Sequence, residues 1–409
     1  MINLIEERVH LVNKEIVILA AKRTAIGSFA GMYKDIPAVE LGRQLVKASI
    51  KAAQLSPEDV DQLIFGNVLG AGLGQNVARQ VSIHAGIPVD RTAFTVNMVC
   101  GSGLQAIHLA YQALKLGEAE VVVAGGCENM SQAPYLLQKE RFGARLGDGK
   151  IVDSLLKDGL LDSFSGEHMG VTAERLAKKY GISRERQDQF ALASQHKTQV
   201  AMEEGRFKEE IVPIHWTDRK GQEVILQTDE HPRKDVTLDQ LARLKPAFLK
   251  AENSCGVTAG NSSGINDGAA CLVMTTLDYA KAHDLTVMAK ISDLAFAGVA
   301  PEEMGLGPVA SCQKLLERNS LDLSSIDCIE LNEAFAAQAL AVLKDLGLQE
   351  DQVNPNGGAI ALGHPIGASG ARIVVTLLHE MLRSSKHLGL ASLCIGGGQG
   401  GSILLELKS

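Results

Sequence analysis

The sequence lacks the long hydrophobic runs that would carry it into or through a membrane. No run of about 18 apolar residues occurs among its 409 residues, so no segment is predicted to span a bilayer. The N-terminal stretch MINLIEERVHLVNKE is too charged for a secretory signal, and the C-terminal LLELKS matches no peroxisomal or lipidation signal. These absences predict a cytoplasmic protein with no membrane partner.

A basic excess and paired cysteines are also missing. The formal net charge is −8 and is spread along the chain, so the sequence gives no electrostatic footprint for nucleic acid. None of the 7 cysteines forms a CxxC pair, so neither a metal site nor a disulfide framework is predicted, and reduced thiols are expected. No Walker pattern occurs, and GAGLG at 70–74 lacks the rest of a dinucleotide-binding fingerprint.

Strand and helix patterns alternate in both outer parts of the chain. In the first part, strands are predicted at 15–27, 60–69, 92–98 and 121–126, and helices at 38–54, 75–87 and 101–117. In the last part, strands are predicted at 287–300, 326–332, 388–397 and 401–408, and helices at 309–319, 334–347 and 371–384. This alternation predicts an α/β fold with a mainly parallel sheet, and the similar strand ends VVVAGGCEN and SLCIGGGQG indicate a duplicated unit.

The middle of the chain has a different pattern. Residues 139–169 are polar and interrupted by glycines, and two charged helices are predicted within 171–207. The only tryptophan, Trp216, and a stretch rich in proline and charge at 229–252 follow. We interpret this region as an insertion with its own small core.

Cys100 lies where a predicted strand ends and a helix begins, in NMVCGSG. A thiol at a helix N-terminus faces the positive end of the helix dipole and unpaired backbone N–H groups, which favour the thiolate and lower its pKa. The same N–H groups could hold an oxyanion. The alternative is an inert cysteine buried in a turn.

Three more polar groups follow strands or precede helices. His364 lies in a loop rich in Gly and Pro, Cys394 ends a strand before three glycines, and Asn332 begins the segment NEAFAAQ. Each has a plain structural alternative: a histidine bonded to turn backbone, a buried thiol, and a helix N-cap. Because the active site of an open α/β sheet lies beyond the carboxyl ends of its strands, the set predicts a catalytic cleft.

Six segments resemble the signature sequences of the thiolase family. They are NMVCGSG, GGCENMSQAPY, VTAGNSSGINDGAA, NEAFAAQ, GGAIALGHPIGASGAR and CIGGGQG, which occur in family order and span nearly the whole chain. The segment GEHMGVTAE at 166–174 makes the acetyl-CoA acetyltransferases the most similar group within the family.

The resemblance implies an architecture and a division into domains. The implied fold is α/β, thiolase-like, with duplicated βαβαβαββ halves that form a five-layered αβαβα core, and with an inserted loop domain. The implied domains are an N-terminal half at 1–128 plus 266–287, a loop domain that binds CoA at 129–265, and a C-terminal half at 288–409. A homodimer or homotetramer is also implied.

The resemblance implies a role for each polar group. Cys100 is the expected nucleophile that becomes acylated, and His364 is expected to activate it and to help hold the thioester oxygen. Cys394 is expected to remove the α-proton of a second acetyl-CoA. Asn332 is expected to hold a water that completes one oxyanion hole, and the backbone N–H groups of Cys100 and Gly396 are expected to form a second. The family requires no metal and no cofactor, because coenzyme A thioesters are its substrates.

Contacts to the substrate are implied on the loop domain and around the pocket. Ser263 matches a residue bonded to pantetheine, and Arg233 lies where the family binds CoA, although a solvated charge is the alternative for it. The residues expected to line the acyl tunnel are Leu160, His168, Met169, Phe248, Ala259 and Phe335. The stretch 248–257, FLKAENSCGV, is longer than the compact form of the family, which leaves the contacts of Phe248 open.

The implied activity is the reversible condensation of two acetyl-CoA to acetoacetyl-CoA and CoA through an acetyl-cysteine. One alternative is a degradative thiolase that cleaves longer 3-ketoacyl-CoA. A second is a thiolase-like protein that binds acyl-CoA or lipid without catalysis, which the presence of all four polar groups disfavours. A decarboxylating ketosynthase pairs its cysteine with two histidines, and Cys394 argues against it. Neither the acyl chain length nor the direction of flux follows from the sequence.

Overall fold

The first half of the chain alternates strands with helices, as its pattern predicts. The computed structural model describes residues 14–143 and 145–407. The elements before the insertion are β1 (Ile16–Thr24), β2 (Gly27–Ser28), α1 (Ala38–Ala52), β3 (Gln62–Gly66), α2 (Val77–Ala85), β4 (Thr92–Val96), α3 (Ser102–Leu116) and β5 (Val121–Asn129). The predicted strands and helices of this part are confirmed, with ends that differ by a few residues.

The insertion contains short strands and two long helices. Its elements are β6 (Tyr135–Leu136), β7 (Val152–Asp153), α4 (Met169–Tyr180), α5 (Arg184–Glu203), β8 (Ile211–Val212), β9 (Ile214–Thr217), β10 (Glu223–Leu226) and α6 (Leu238–Ala242). The two charged helices predicted within 171–207 are therefore confirmed. The polar stretch before them also contains a π-helical turn, Leu155–Leu160, which the pattern did not predict.

The second half resumes the alternation. Its elements, together with the strand and helix that return the chain to the first half, are β11 (Asn266–Thr276), α7 (Leu277–Ala282), β12 (Ala289–Gly298), α8 (Gly307–Asn319), β13 (Cys328–Leu331), α9 (Ala336–Leu346), α10 (Ala359–Leu362), α11 (Ile366–Ser384), β14 (Leu388–Ile395) and β15 (Gln399–Glu406). The predicted closing hairpin is confirmed by the antiparallel pairing of β14 with β15.

The two halves have the same strand order. Both halves belong to one continuous sheet, which is joined where β1 pairs antiparallel with β12. Its first part, called the first sheet, runs β4-β3-β5-β11-β1, with β3 parallel to β4 and β5 and with β11 antiparallel to β5 and β1. The second runs β13-β14-β15-β12 with the matching directions, and a parallel bridge from Val353 to Ile329 takes the place of β4. The duplicated βαβαβαββ unit is therefore visible, with one strand of the second copy reduced to a bridge. The prediction of a mainly parallel sheet is wrong, because β5 with β11, β11 with β1, β1 with β12, β12 with β15 and β15 with β14 all pair antiparallel.

The sheets face each other across two shared helices. On β5, Val122 and Ala124 pack into one core with α3 and α11, whereas Val121 and Val123 pack on the opposite face with α1 and α2. Successive residues of a strand point to opposite faces, so each sheet separates two cores. A third core joins the far face of the second sheet to α8 and α9. The layers are αβαβα, and the predicted five-layered fold with an inserted segment is confirmed.

The insertion contacts strand β1 of the first half through buried polar side chains. The fully buried Arg23 of β1 donates to Asp229 at 2.7 and 2.9 Å and to Glu210 at 2.6 Å. The predicted domain boundaries at residues 128, 265 and 287 stay a prediction. Within residues 14–143 and 145–407, no helix has both the length and the apolar character needed to cross a membrane.

Candidate active site

A pocket of about 670 Å³ is lined by residues of both halves and of the insertion. This volume lies within the usual range of sites for small molecules. Twelve of the thirteen residues selected from the sequence line it: Cys100, Leu160, His168, Met169, Arg233, Phe248, Ala259, Ser263, Phe335, His364, Cys394 and Gly396. Asn332 is the exception, because its side chain is buried outside the lining.

Cys100 lies directly before the helix α3, on a strained turn. The preceding residue, Val99, has φ +48°, a left-handed conformation that is rare and costly for a β-branched side chain. A β-carbon on Gly101 would lie 2.4 Å from Ile395 Cδ1, so a larger residue there would displace the Ile395 side chain of β14. The turn therefore brings Cys100 against the end of the strand that carries Cys394.

The expected low pKa of Cys100 is wrong. Burial raises the pKa of this thiol to about 11, although the backbone N–H groups of Gly396 and of Cys100 itself act in the opposite direction. The first N–H groups of the helix are not free, because Gly101 donates to the Met98 carbonyl at 3.0 Å and Ser102 donates to the Val99 carbonyl at 3.1 Å. The helix N-terminus thus stabilises the thiolate of Cys100 only weakly, and the cost of removing that charge from water determines the direction of its pKa shift.

Cys394 is the second thiol of the pocket. It is the last residue but one of β14, with 1% of its surface exposed, and it is followed by Gly396, Gly397 and Gly398. Burial raises the pKa of the Cys394 thiol, and the neighbouring Cys100 raises it further. Both thiols are therefore protonated in the resting pocket.

The imidazole of His364 lies between α10 and α11 and is oriented by Ser369. Its Nδ1 lies 2.6 Å from Ser369 Oγ, and that hydroxyl donates to the Pro365 carbonyl at 2.8 Å. Because the single hydroxyl proton goes to a carbonyl, Oγ accepts the Nδ1 proton. The neutral ring then carries its lone pair on Nε2, which has no hydrogen-bond partner in the described part of the chain. This tautomer suits a group that takes a proton from a thiol.

Asn332 follows β13 and is 1% exposed. Its backbone N–H donates to the Ser392 carbonyl at 2.9 Å, and its Oδ1 accepts from Arg372 at 3.4 Å. Its Nδ2 is buried without a partner among the described residues. The amide does not cap a helix, because α9 begins four residues later, so the N-cap alternative is wrong. A buried donor without a partner is costly and calls for a functional explanation.

Aromatic side chains form one wall of the pocket. The ring of Phe248 stacks on His168 with centroids 4.6 Å apart and meets the edge of Phe335 at 5.9 Å. The longer segment after Phe248 closes on itself, since Ala247 N–H donates to the Val257 carbonyl at 3.0 Å. Buried Glu174 accepts from Ser254 Oγ at 2.5 Å and holds the segment away from the pocket. The extra length leaves Phe248 in the wall.

The insertion supplies the polar mouth. The backbone N–H of Arg233 donates to Gln195 Oε1 at 3.0 Å, and the backbone N–H of Ser263 donates to the Ala334 carbonyl at 3.0 Å. Among the described residues that line the pocket, Arg233 is the only Arg or Lys, so it is the one permanent cation available to an anionic substrate. Met169 and Leu160 also line the pocket, from α4 and the π-helical turn.

Comparison with models of known protein families identifies the family to which the chain belongs. The description "Thiolase, N-terminal domain" matches residues 16–278, and "Thiolase, C-terminal domain" matches residues 285–407. The chain belongs to the thiolase family.

Several relatives of this thiolase are named acetyl-CoA acetyltransferase. It is 53% identical to an acetyl-CoA acetyltransferase of Pseudomonas aeruginosa, over 96% of this chain and 99% of that protein. It is 54% identical to an acetyl-CoA acetyltransferase of Escherichia coli, with 96% and 99% of the two chains covered. A crystal structure of the Bacillus anthracis acetyl-CoA acetyltransferase matches with a TM-score of 0.94 and 44% identity, over 97% of this chain and 99% of that one.

The thiolase site also depends on a carboxylate that sequence reasoning missed. Glu128 is fully buried, and its oxygens accept from Asn67 Nδ2 at 3.0 Å and from the backbone of Val68, Leu69 and Gly367 at 3.0, 3.1 and 2.9 Å. It thereby joins the loop after β3 to the start of α11, next to His364. The motif GGCENM contains this residue, but its partners lie far along the chain and no local pattern reveals them.

The buried histidine of the thiolase predicts a pH-dependent stability. Burial, together with the positive charge of Arg372, lowers the pKa of His364 from 6.5 to about 3. Between these values the unfolded chain binds a proton that the folded chain does not, so stability falls as the pH falls below 6.5. We expect His364 to contribute a loss of about 1 kcal/mol in the free energy of unfolding between pH 6.5 and 5.5.

Urea unfolding of the wild-type protein and of His364→Asn at both pH values measures this contribution. The wild-type protein should lose more stability than the variant, and His283→Asn, at an exposed position, should lose as much as the wild type. Equal losses in the wild type and in His364→Asn would contradict the assignment.

Proposed function

We propose that this thiolase is an acetyl-CoA C-acetyltransferase. It condenses two acetyl-CoA reversibly to acetoacetyl-CoA and CoA through an acetyl group carried on Cys100. The observation that supports this proposal most directly is the pocket itself, which contains two thiols and an imidazole with a free lone pair. The names of the relatives in Pseudomonas aeruginosa and Escherichia coli support acetyl-CoA as the substrate.

In the first half-reaction, Cys100 attacks the thioester of acetyl-CoA. His364 takes the thiol proton on Nε2 as the C–S bond forms, because both groups are neutral in the resting pocket and a free thiolate would be costly there. The tetrahedral intermediate then expels the CoA thiolate, which takes the proton of Cys394. Acetyl-Cys100, free CoA and a Cys394 thiolate result. The covalent intermediate divides one difficult step into two easier ones.

In the second half-reaction, the Cys394 thiolate removes an α-proton from a second acetyl-CoA. The resulting enolate attacks the acetyl carbonyl on Cys100, and a new C–C bond forms. Collapse of this intermediate breaks the C–S bond to Cys100, whose thiolate recovers its proton from the His364 imidazolium. Each of the three groups returns to its starting protonation state: the α-proton ends on Cys394, and the former Cys394 proton leaves on CoA. The reaction requires no metal or redox cofactor.

Two sets of donors stabilise the oxygens that become negative. The first set would donate hydrogen bonds to the thioester oxygen and to the enolate oxygen that it becomes. It consists of protonated His364 Nε2 and of a water held by Asn332 Nδ2. The backbone N–H groups of Cys100 and Gly396, which already act on the Cys100 sulfur, would serve the intermediate on Cys100. Removal of one such donor typically costs about 3 kcal/mol in the transition state.

The insertion is proposed as the CoA-binding part. Ser263 would bond the pantetheine, and Arg233 would meet the phosphates at the mouth of the pocket. Leu160, His168, Met169, Ala259, Phe248 and Phe335 would surround the acyl group and the thiol end of CoA. The stacked Phe248 and His168 limit the space beyond the sulfur.

Chain length separates this proposal from a degradative thiolase for long 3-ketoacyl-CoA. We expect thiolysis of acetoacetyl-CoA to exceed that of C8–C16 3-ketoacyl-CoA in kcat/KM by at least about tenfold, because Phe248 and Phe335 narrow the pocket. Assays of both substrates with the same enzyme preparation measure this ratio. Phe248→Ala should raise activity toward longer chains, whereas Leu156→Ala, at an exposed position, should not. A wild-type preference for long chains would contradict the assignment.

We also propose that the protein assembles as a homodimer or homotetramer. Large apolar side chains of the insertion are exposed in the single chain, including Phe142 at 85% and Phe164 at 76%. Several of them fall in one short stretch of the chain, where Leu137, Phe142, Leu146 and Ile151 are all exposed, and apolar side chains concentrated in this way are typical of an interface. Light scattering should give two or four times the chain mass of 43.5 kDa, and a monomer mass would contradict the proposal. The cytoplasmic location and the three-part domain division are proposed from the sequence.

A further inference from the structure

The guanidinium of Arg372 is buried between a carboxylate and the side-chain oxygen of Asn332. Arg372 on α11, Glu330 on β13 and Asn332 are each 1% exposed. Arg372 Nη1 donates to Glu330 Oε1 at 3.1 Å, and Nη2 donates to Asn332 Oδ1 at 3.4 Å. One planar group thus contacts two side chains that are two residues apart in sequence.

This arrangement determines which end of the Asn332 amide faces α11. A guanidinium only donates hydrogen bonds, so the end of the amide that faces it is the oxygen. The NH2 group therefore faces away from Arg372, and its Nδ2 is the atom left without a partner among the described residues. The backbone of Asn332 is held separately by its bond to Ser392, so the remaining freedom is rotation of the amide.

Glu330 by itself does not fix the orientation of the amide. Asn332 directly follows β13 and its N–H continues the pairing with β14, so Glu330 and Asn332, two residues apart, lie on the same side. Burial raises the pKa of Glu330 to about 8, although Arg372 acts in the opposite direction. A protonated carboxyl group both donates and accepts, so it can pair with either end of the amide. Arg372 contacts both side chains and, because it only donates, selects the oxygen. Stability alone does not explain such a pair, because apolar residues of similar volume often replace a buried ion pair without loss.

We propose that Arg372 is a positioning residue that sets the orientation of the Asn332 amide, and through it the catalytic donor Nδ2. The inference depends on the role proposed above for Asn332. Arg372 does not line the pocket. Its charge also acts on His364, but a lysine at the same position keeps that charge, so the effect of Arg372→Lys on turnover passes through Asn332.

A kinetic double-mutant cycle tests this dependence. The four proteins are the wild type, Arg372→Lys, Asn332→Ala and the double variant, each assayed for kcat and KM in the thiolysis of acetoacetyl-CoA. Lysine keeps the charge but replaces the planar fork by a point charge that cannot hold both partners. Arg372→Lys should lower kcat about tenfold with KM within about twofold, and it should change kcat less than about twofold when Asn332 is already alanine.

Arg23→Lys is the matched control, because Arg23 is also fully buried and paired with two carboxylates but does not contact Asn332. Its effect on kcat should be the same in both backgrounds. If Arg372→Lys is unstable, the pair replacement Arg372→Met with Glu330→Leu takes its place in the same cycle. Any effect on kcat through His364 should remain when Asn332 is alanine, and only the effect through Asn332 should disappear.

The outcomes separate the two proposals. Equal effects of Arg372→Lys in both backgrounds, or an unchanged kcat in the wild-type background, would overturn the positioning role while leaving Asn332 intact. Wild-type kcat in Asn332→Ala would overturn the role of Asn332 itself.

Discussion

Replacing Cys100 with serine is expected to lower condensation and thiolysis by on the order of 10⁴-fold or more, because the nucleophile of an enzyme dominates its covalent chemistry. A serine hydroxyl in the same buried site is a far weaker nucleophile than the thiol, since His364 can accept its proton only at a much greater cost. Incubation with acetyl-CoA followed by mass spectrometry measures the intermediate directly. The wild-type protein should gain about 42 Da, and the variant should gain nothing.

The control for this experiment is Cys255→Ser. Cys255 lies in the insertion, is partly exposed and does not line the pocket, so its loss should leave both the adduct and the rate unchanged. An adduct of normal amount on Cys100→Ser would assign the acyl group to another residue. If the adduct persisted on Cys100→Ser and disappeared on Cys255→Ser, the nucleophile would be Cys255.

Replacing Cys394 with serine is expected to separate the two half-reactions. The variant should still form acetyl-Cys100, because a CoA thiolate leaves without the help of an acid. Both its exchange of the α-protons of acetyl-CoA and its condensation should be about 10²–10⁴-fold slower than in the wild type, because the base of the second half-reaction is missing. Exchange in D2O, followed by NMR, measures the proton step, and mass spectrometry measures the acyl step in the same sample.

The contrast with Cys100→Ser makes this prediction specific. Cys100→Ser should lose the adduct and condensation together, whereas Cys394→Ser should keep the adduct and lose only the later steps. Cys312→Ser, which changes a buried thiol outside the pocket, should behave as the wild type in both measurements. Rapid condensation by Cys394→Ser would remove the base role from this residue.

Local patterns were sufficient to select most of the residues proposed as catalytic. Cys100, His364 and Cys394 could be chosen from the sequence because each lies where a strand or a helix ends, and such junctions are marked by glycine, proline and a change of hydrophobic period. The carboxyl ends of strands meet at one edge of a sheet, so groups at those junctions converge. The pocket contains all three, as this rule predicts.

The ionisation of these groups could not be predicted in the same way. The position of Cys100 before a helix indicated a low pKa, whereas burial raises it to about 11. Burial comes from residues brought together by the sheets and the insertion, and Gly396, whose N–H acts on the sulfur, is far along the chain. The pKa of His364 has the same origin, since it depends on burial and on Arg372.

By itself, the sequence indicated the alternating α/β fold, the duplicated unit and the junctions at which Cys100, His364 and Cys394 lie, because these depend on short-range periodicity and on residue types at junctions. It did not predict β11, and the roles expected of the three residues came from the family resemblance. The tertiary structure alone decided the directions of the pKa shifts, the burial of Asn332 and the hydrogen bonds of Glu128 and Arg372. The physical reason is that desolvation and hydrogen bonding depend on partners distant in sequence. Glu128, for example, receives hydrogen bonds from Val68 and Gly367, which lie 60 and 239 residues away along the chain.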